Sequence, residues 1–281
     1  MDIAVLGSAN ADLVVGVDRR PGPGETVLGS DLTVVAGGKG ANTAVAAARL
    51  GGSVGLIGAI GPDAYGKLLV DSMRAAGVDV TRVRCDDRGT GIAYITVTPD
   101  GENSIVVSPG ANAGLTTADV DLAGARLLVA SLEVPTEVVE HALGLAAAGG
   151  VRTILNLSPV TPLADLSTVD TLVVNEHEAR RLAGSTDPRR VLDLGPRSVV
   201  ITLGAKGAVL ADSSGVHEVG APKVEPVDTT GAGDAFTGAL AVGLASGRDL
   251  RTAAELAVRV AAISVTRRGA QPSYPTLAEV S

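Results

Sequence analysis

The sequence predicts an α/β fold: a mainly parallel sheet covered by helices on both faces, with a second, smaller sheet attached. Three observations predict it. Short apolar runs alternate with longer Ala-rich segments that close on glycine. Two stretches break this rhythm with β-prone runs. The apolar content, 46% of 281 residues, is almost wholly aliphatic, because aromatics make up only 1%. A core of Ala, Val, Leu and Ile suits helices packed on a buried parallel sheet.

Taken in order, "DIAVLGS" (Asp2 to Ser8) is an apolar run ending in Gly-Ser, the mark of a buried strand. "ETVLGSDLTVVAGG" (Glu25 to Gly38) carries β-prone runs around Gly29-Ser30. "ANTAVAAARLG" (Ala41 to Gly51) is a helix with its glycine stop. "SVGLIGAIG" (Ser53 to Gly61) is strand-like, and "DAYGKLLVDSMRAAG" (Asp63 to Gly77) is a helix from an acidic cap to a glycine. "TGIAYITVTPDGENSIVVSPG" (Thr90 to Gly110) joins two β-prone runs through Asp100-Gly101, a hairpin signal. Strands follow at Arg126–Glu133, Arg152–Ser158, Asp170–Glu176 and Ser198–Gly204, with helices at Thr136–Gly149 and Asp234–Gly247. Strands alternating with helices imply right-handed crossovers and a parallel sheet. The two irregular stretches read as a small antiparallel sheet projecting from the main one, a lid over about residues 12–36 and 88–109. The chain, 1–281, then forms a single domain without repeats or linkers.

Composition excludes several classes. The formal charge is −8 and no Lys/Arg block forms a basic stripe, so nucleic acid is not an expected partner. The scarcity of aromatic rings removes base-stacking platforms as well. Cys85 is the only cysteine, which fits a reducing compartment. "MDIAVLGS" lacks the look of a signal peptide, and no apolar run approaches the ~18 residues of a membrane span. A soluble cytoplasmic protein that does not engage a membrane is expected.

"VDTTGAGDAFTGAL" (Val227 to Leu240) places a glycine turn, Gly231-Ala232-Gly233, at a helix start with Asp234 directly behind it. Free amides of a first helical turn form an anion site. Asp234 could simply favour the helix dipole. A carboxylate beside an anion nest is, however, what phosphoryl transfer to an alcohol requires: amides for the phosphoryl oxygens and a base for the hydroxyl proton.

"AGGKGANTAV" (Ala36 to Val45) sets Gly37, Gly38 and Gly40 before a helix, with Lys39 in the turn and Asn42 in the first helical turn. It allows close backbone approach to a polar ligand, or is a tight turn with a solvated lysine. "GPDAYGKL" has P-loop spacing but ends in Leu68 where a metal-binding hydroxyl is needed, so it is rejected. "GSANAD" (Gly7 to Asp12) lacks the dinucleotide fingerprint. Asn10 and Asp12 instead offer groups that grip neighbouring hydroxyls, unless they form an ordinary Asx turn. In "NEHEA" (Asn175 to Ala179), Asn175 and Glu178 share a helix face and suit water-mediated Mg2+ or plain capping. "TLGAKGA" (Thr202 to Ala208) is a Gly-rich turn against which a nucleotide could lie.

Together and in this order these motifs resemble the PfkB family of carbohydrate kinases, most closely its ribose-phosphorylating members. "GGKGAN" (Gly37 to Asn42) looks like the family's N-terminal signature and "DTTGAGDAFTGAL" (Asp228 to Leu240) like its C-terminal one. "NEHE" resembles its Asn-x-x-Glu magnesium motif. "NAD" (Asn10 to Asp12), "SLEVP" (Ser131 to Pro135) and "VTRRGAQPS" (Val265 to Ser273) resemble the narrower group. The resemblance implies a three-layer α/β/α fold with a β-sheet lid and transfer of the ATP γ-phosphoryl to O5 of D-ribose. It implies Asp234 as base and Gly231, Ala232 and Gly233 as anion hole. Asn10, Ala11, Asp12, Gly38, Lys39, Gly40, Ala41, Asn42, Glu133 and Asp234 would surround the sugar. Asn175, Thr202, Leu203, Gly204, Ala205, Lys206 and Gly207, with Gly233 and Asp234, would line the ATP site. Glu178 would act through Mg2+ by way of water, and Asp228, Thr230, Ser264, Arg267, Gly269 and Ser273 would bind K+. Where the family often has a polar residue near adenine this chain has Val258, so packing is expected to hold the base. Lid strands would pair in a homodimer. Fructose, a nucleoside or a keto-deoxy sugar acid are the alternative acceptors. A non-catalytic sugar sensor would be expected to lose the base or the glycine nest, and both are intact.

Overall fold

Each apolar run forms a strand whose successive side chains enter opposite faces of one sheet, and both faces are buried. The structure, a computed structural model, describes residues 1–122 and 124–280. The chain runs through β1 (Ile3–Leu6), β2 (Asn10–Gly16), β3 (Thr33–Gly37), α1 (Lys39–Arg49), β4 (Val54–Ile60), α2 (Ala64–Ala75) and β5 (Val83–Cys85). It continues through β6 (Gly91–Val97), β7 (Asn103–Ser108), β8 (Leu127–Ser131), α3 (Thr136–Gly149), β9 (Arg152–Asn156), β10 (Thr171–Asn175), α4 (Glu176–Ala183) and α5 (Pro188–Leu192). The remainder is β11 (Val199–Thr202), β12 (Ala208–Asp212), β13 (Gly215–Val219), α6 (Ala232–Ala245), α7 (Leu250–Ser264) and the short α8 (Leu277–Val280).

Nine strands form the main sheet in the order β13-β12-β11-β10-β9-β8-β1-β4-β5. All neighbours are parallel except at one edge, where β12 and β13 return as antiparallel hairpins. Ile3 and Val5 of β1 pack with α1, α2, α6 and α7, while Ala4 and Leu6 pack with α3, α4 and α5. This is the three-layer α/β/α arrangement. Each large aliphatic side chain removed from water contributes about 1.5–3 kcal/mol, and neither face is left open. The strand order reverses at β1, with β4 on one side and β8 on the other. In open parallel sheets, ligands bind beyond the strands' C-terminal ends at such a point. Among the described residues no helix is long and apolar enough to cross a membrane.

The second sheet has the order β3-β2-β6-β7. Its outer pairs, β2/β3 and β6/β7, are antiparallel, and the central pair β2/β6 is parallel. Two boundaries differ from the sequence reading. Asn10 and Asp12 lie in strand β2, opposite Gly37 and Val35 of β3, rather than in a turn after β1. Two residues apart on a strand, they share a face. Helix α1 also begins earlier, at Lys39, because Gly38 takes the N-cap position at φ +90°. Lys39 is thus the first helical residue rather than part of the turn.

Candidate active site

Helix α6 opens on a turn that only glycine makes cheaply. Gly231 has φ +73°, and a Cβ there would stand 2.7 Å from that of Ala270. Beneath it Tyr274, fully buried, donates its hydroxyl to the Gly231 carbonyl at 3.1 Å. The Ala232 amide is used within the turn, bonding to Thr229 O at 3.2 Å. The next amides, those of Gly233 and Asp234, have no carbonyl one turn earlier in the helix and sit at its positive end. Asp234 is 5% exposed, and its Oδ2 accepts from Nδ2 of Asn42 on α1 at 2.9 Å. Its carboxylate is therefore engaged across the helix interface rather than capping its own helix.

The start of α1 delivers the groups opposite. The Lys39 amide donates to Oε2 of Glu133 at 3.2 Å, and the Ser8 hydroxyl donates to the same oxygen. Asn10 is fixed by Asn112, whose Nδ2 donates to Asn10 Oδ1 at 2.7 Å while its Oδ1 accepts from the Ala9 amide at 3.0 Å. Asp12 presses its carboxylate against Gly37, where a Cβ would overlap it. Gly40 packs on the backbone of Gly7. Ala11 and Ala41 are fully buried packing residues, so their side chains offer a ligand nothing polar.

Electrostatics tie these groups into one cluster. Burial pushes the Asp12 carboxyl up to about 7, and the nearby charges of Glu133 and Asp234 add to that push. Burial also raises Asp234; Lys39 and the Asn42 hydrogen bond pull it back, Glu133 pushes it on, and the net shift is upward. Lys39 shows the opposite balance. Burial disfavours its charge, but Asp234, Glu133 and Glu178 outweigh this and raise its pKa. The ammonium therefore stays charged among the carboxylates.

Two connected hollows lead to Asp234. A polar channel of about 230 Å³ is lined by Lys39, Asn156, Ser158, Asn175, Glu178, Thr202, Gly231, Ala232, Gly233 and Asp234. It shares Thr202, Thr229, Ala232 and Gly233 with a larger cavity of about 550 Å³. That cavity is lined mostly by apolar side chains, including Val224, Phe236, Val258 and Ala262, together with the backbone of Gly204, Ala205 and Gly207. Neither Leu203 nor Lys206 lines it: Leu203 packs against the opposite core and Lys206 is exposed. Asn175 and Glu178 form a capping box, each accepting the other's backbone amide at 2.8 Å. The box occupies one carboxylate oxygen of Glu178, so capping and channel lining coexist. Among the described residues no cluster of three His, Cys, Asp or Glu side chains could cage a metal ion. The oxygen donors of Asn175 and Glu178 thus fit a Mg2+ held mainly through water and phosphate.

The residues expected around a monovalent cation lie at the end of α7 and on the turns before α6 and after α7. Asp228 Oδ1 accepts from the Thr230 amide at 2.9 Å and hydroxyl at 2.6 Å, and Oδ2 accepts from the Gly269 amide at 2.8 Å. Burial works to raise the Asp228 pKa, but these hydrogen bonds outweigh it and the carboxylate is held below its usual range. Ser264 accepts the Arg267 amide at 3.1 Å, and the Arg267 guanidinium turns away to Glu279. Any contribution from Arg267 to an ion would come from its backbone. A carboxylate with hydroxyl and carbonyl oxygens suits an alkali cation.

The sequence pattern of the pfkB family carbohydrate kinases matches residues 1–277. The chain belongs to this family. Among its members, the ribokinase of Bacillus subtilis is 41% identical over 290 residues, spanning 99% of this chain and 98% of that protein. The ribokinase of Schizosaccharomyces pombe is 39% identical over 307 residues, spanning 100% and 96%. The structure of Arabidopsis thaliana ribokinase complexed with ribose and ATP superposes with a TM-score of 0.91 at 32% identity, covering 99% of this chain and 96% of that one. The chain is accordingly a kinase-family phosphotransferase acting on an alcohol group.

Several residues of this pfkB-family site escaped the sequence reading. Asn112 orients Asn10, Tyr274 supports Gly231, and Asn156 and Ser158 line the channel. Gln271 donates from Nε2 to Asn42 Oδ1 at 3.1 Å. Asn112, Asn156 and Ser158 reach the site from segments that carry no signal of it, whereas Gln271 and Tyr274 lie within or next to "VTRRGAQPS", where only Arg267, Gly269 and Ser273 are singled out by the sequence.

Proposed function

We propose that this protein transfers the γ-phosphoryl group of ATP to the O5 hydroxyl of D-ribose, giving ribose 5-phosphate and ADP. One observation carries the reading. Asp234 is buried where a channel running from an apolar cavity with room for adenine meets the polar group set of Asn42, Asp12 and Glu133. Adenine packs against Val258 and its apolar neighbours, and the phosphates extend along the channel toward α6. Asp234 takes the proton of the attacking hydroxyl, the oxygen bonds to the γ-phosphorus, and the bond from phosphorus to the ADP oxygen breaks. The Gly233 and Asp234 amides face the charge that builds on the phosphoryl oxygens, assisted by Lys39. Asn10, Asp12 and Glu133 hold the other hydroxyls and thereby choose which one meets the base.

Mg2+, when bound with ATP, neutralises phosphate charge, and Asn175 and Glu178 would hold its waters. K+ would sit in the loops around Asp228 and steady the turn at Gly231. The second sheet acts as a lid on a single-domain enzyme of the cytoplasm. Its edge strand β7 exposes Ile105, Val106 and Val107 consecutively at 51%, 68% and 43%. An uncovered apolar edge is a site for strand pairing, and here the partner is a second copy of the chain.

The test is ADP release by the purified protein with ATP, Mg2+ and ribose, with and without K+, and with the phosphate position read by 31P NMR. Fructose, 2-deoxyribose, a nucleoside and a keto-deoxy sugar acid complete the panel. Higher kcat/KM on a nucleoside than on ribose, or phosphate on another hydroxyl, overturns the assignment.

A further inference from the structure

A side-chain carboxamide is nearly symmetrical in shape, and only its surroundings decide which end faces which neighbour. Asn42 stands at such a choice. Its Nδ2 donates to Asp234 Oδ2 at 2.9 Å, and its Oδ1 accepts from Gln271 Nε2 at 3.1 Å. Gln271 Oε1 in turn accepts from the hydroxyl of Ser72 on α2 at 2.7 Å. Four residues from four separate segments thus form one chain of hydrogen bonds, every donor pointing the same way. Gln271, Asn42 and Asp234 are 3%, 5% and 5% exposed. In such surroundings each bond is strong and each unmade one expensive. The chain occupies Oδ2 of Asp234, while Oδ1 makes no hydrogen bond among the described residues.

We infer that Gln271 is a positioning residue for phosphoryl transfer: it holds the Asn42 carboxamide so that its amide end saturates Asp234 Oδ2, leaving Oδ1 as the proton acceptor. Were Asn42 reversed, its carbonyl would face the carboxylate, and Asp234 Oδ2 and Asn42 Oδ1 would each lose its donor. The inference rests on Asp234 being the base, and it adds which oxygen works and what fixes it.

The test compares Gln271→Met with Gln271→Glu. Methionine keeps the length but removes both bonds. Glutamate still accepts from Ser72 but, when ionised, accepts from Asn42 as well and draws Nδ2 away from Asp234. With ribose saturating, Met at 271 should lower kcat about tenfold and Glu about a hundredfold, the range of one lost charge-assisted hydrogen bond. KM for ATP should not change. The acidic limb of kcat should move to higher pH in both variants. Lys39, Glu133 and Asp12, which face the same carboxylate, are present in all three proteins.

A packing role would instead lower thermal stability and leave kcat per nucleotide-binding site and the acidic limb where they were; that result overturns the inference, as does a rise in ribose KM alone. A readout independent of turnover is the Asn42 side-chain amide signal in 15N NMR, identified by its loss in Asn42→Asp. It should be protected from exchange in the parent and not in Gln271→Met, and equal protection also overturns the inference. An inactive parent overturns the proposed function and the catalytic part of the inference with it; a protected Asn42 amide would then show only that Gln271 fixes the carboxamide.

Discussion

Replacing Asp12 with asparagine should stabilise the free protein at alkaline pH while weakening its grip on the sugar. The Asp12 carboxyl, 8% exposed, has a pKa of about 7 against an ordinary 3.8. Burial is the main cause, with the charges of Glu133 and Asp234 behind it. Because the folded-state pKa lies above the unfolded one, the fold binds this proton more tightly than the open chain does. The stabilising contribution is complete below pH 3.8 and is lost as pH rises through about 7. The gap of about three pH units corresponds to about 4 kcal/mol at full ionisation. Asparagine has no such proton to lose. The stability difference between Asp12→Asn and the parent, from urea unfolding followed by circular dichroism because the chain has no Trp, should therefore grow from near zero at pH 4 to a few kcal/mol at pH 8.

The same shift governs binding. Ribose hydroxyls donate to the ionised carboxylate, so the sugar must expel the proton: about 0.9 per site at pH 6, half at pH 7 and about 0.1 at pH 8. Titration calorimetry in buffers of different ionisation enthalpy measures that number directly, and Asp12→Asn should abolish most of it. A stability difference that does not vary with pH, or sugar binding without proton release at pH 6, would refute the reasoning.

Asp234→Asn should keep the fold and nucleotide binding while ADP release falls by about 10²–10⁴, the usual loss on removing a general base. Gly38→Ala should be destabilising, because its φ is +90° and the new Cβ would meet the Asn10 amide at 2.6 Å; a cost above about 1 kcal/mol is expected in a thermal melt. Ser131→Ala should be neutral or stabilising by up to about 1 kcal/mol, since the Ser131 hydroxyl is buried without a hydrogen-bond partner. If the proposed strand pairing holds two copies together, Val106→Lys should shift the protein to monomer in light scattering.

Where a few adjacent residues decide the outcome, the sequence was legible. The apolar runs of β1, β4 and β8 to β11 needed only their own pattern, and Asp234 stood out as a candidate because a carboxylate behind a glycine nest has a chemical meaning wherever it occurs. Strand β2 was harder. "NADLVVG" begins with turn-forming residues and becomes a strand through pairing with β3 and β6 on both sides. The groups that aim the reactive ones were not legible at all. Asn112 meets Asn10 across 102 residues with no local signal, and Gln271 meets Asn42 across 229 from a stretch, "VTRRGAQPS", that stands out for other residues.

The balance of charge explains why a carboxylate can stand at the mouth of an anion site. Asp234, Glu133 and Glu178 face a single buried cation, Lys39, and Asp12 stands beside the first two, so full ionisation would leave three negative charges unpaired in poorly solvated surroundings. A second lysine would cancel one of them, but it would also pull protons off Asp234 and make it a poorer base. A proton kept on Asp12 removes one of these charges as long as no sugar is bound. When the sugar binds, its hydroxyls take over the neutralising role and the proton leaves. In the proposed reaction Asp234 stays raised by burial and by Glu133, and the ionised Asp12 beside it adds to that push. The amides of α6 and the carboxylate beside them thus serve opposite partners across one turn of the proposed site, and burial together with Glu133 is what keeps the proton affinity of Asp234 up.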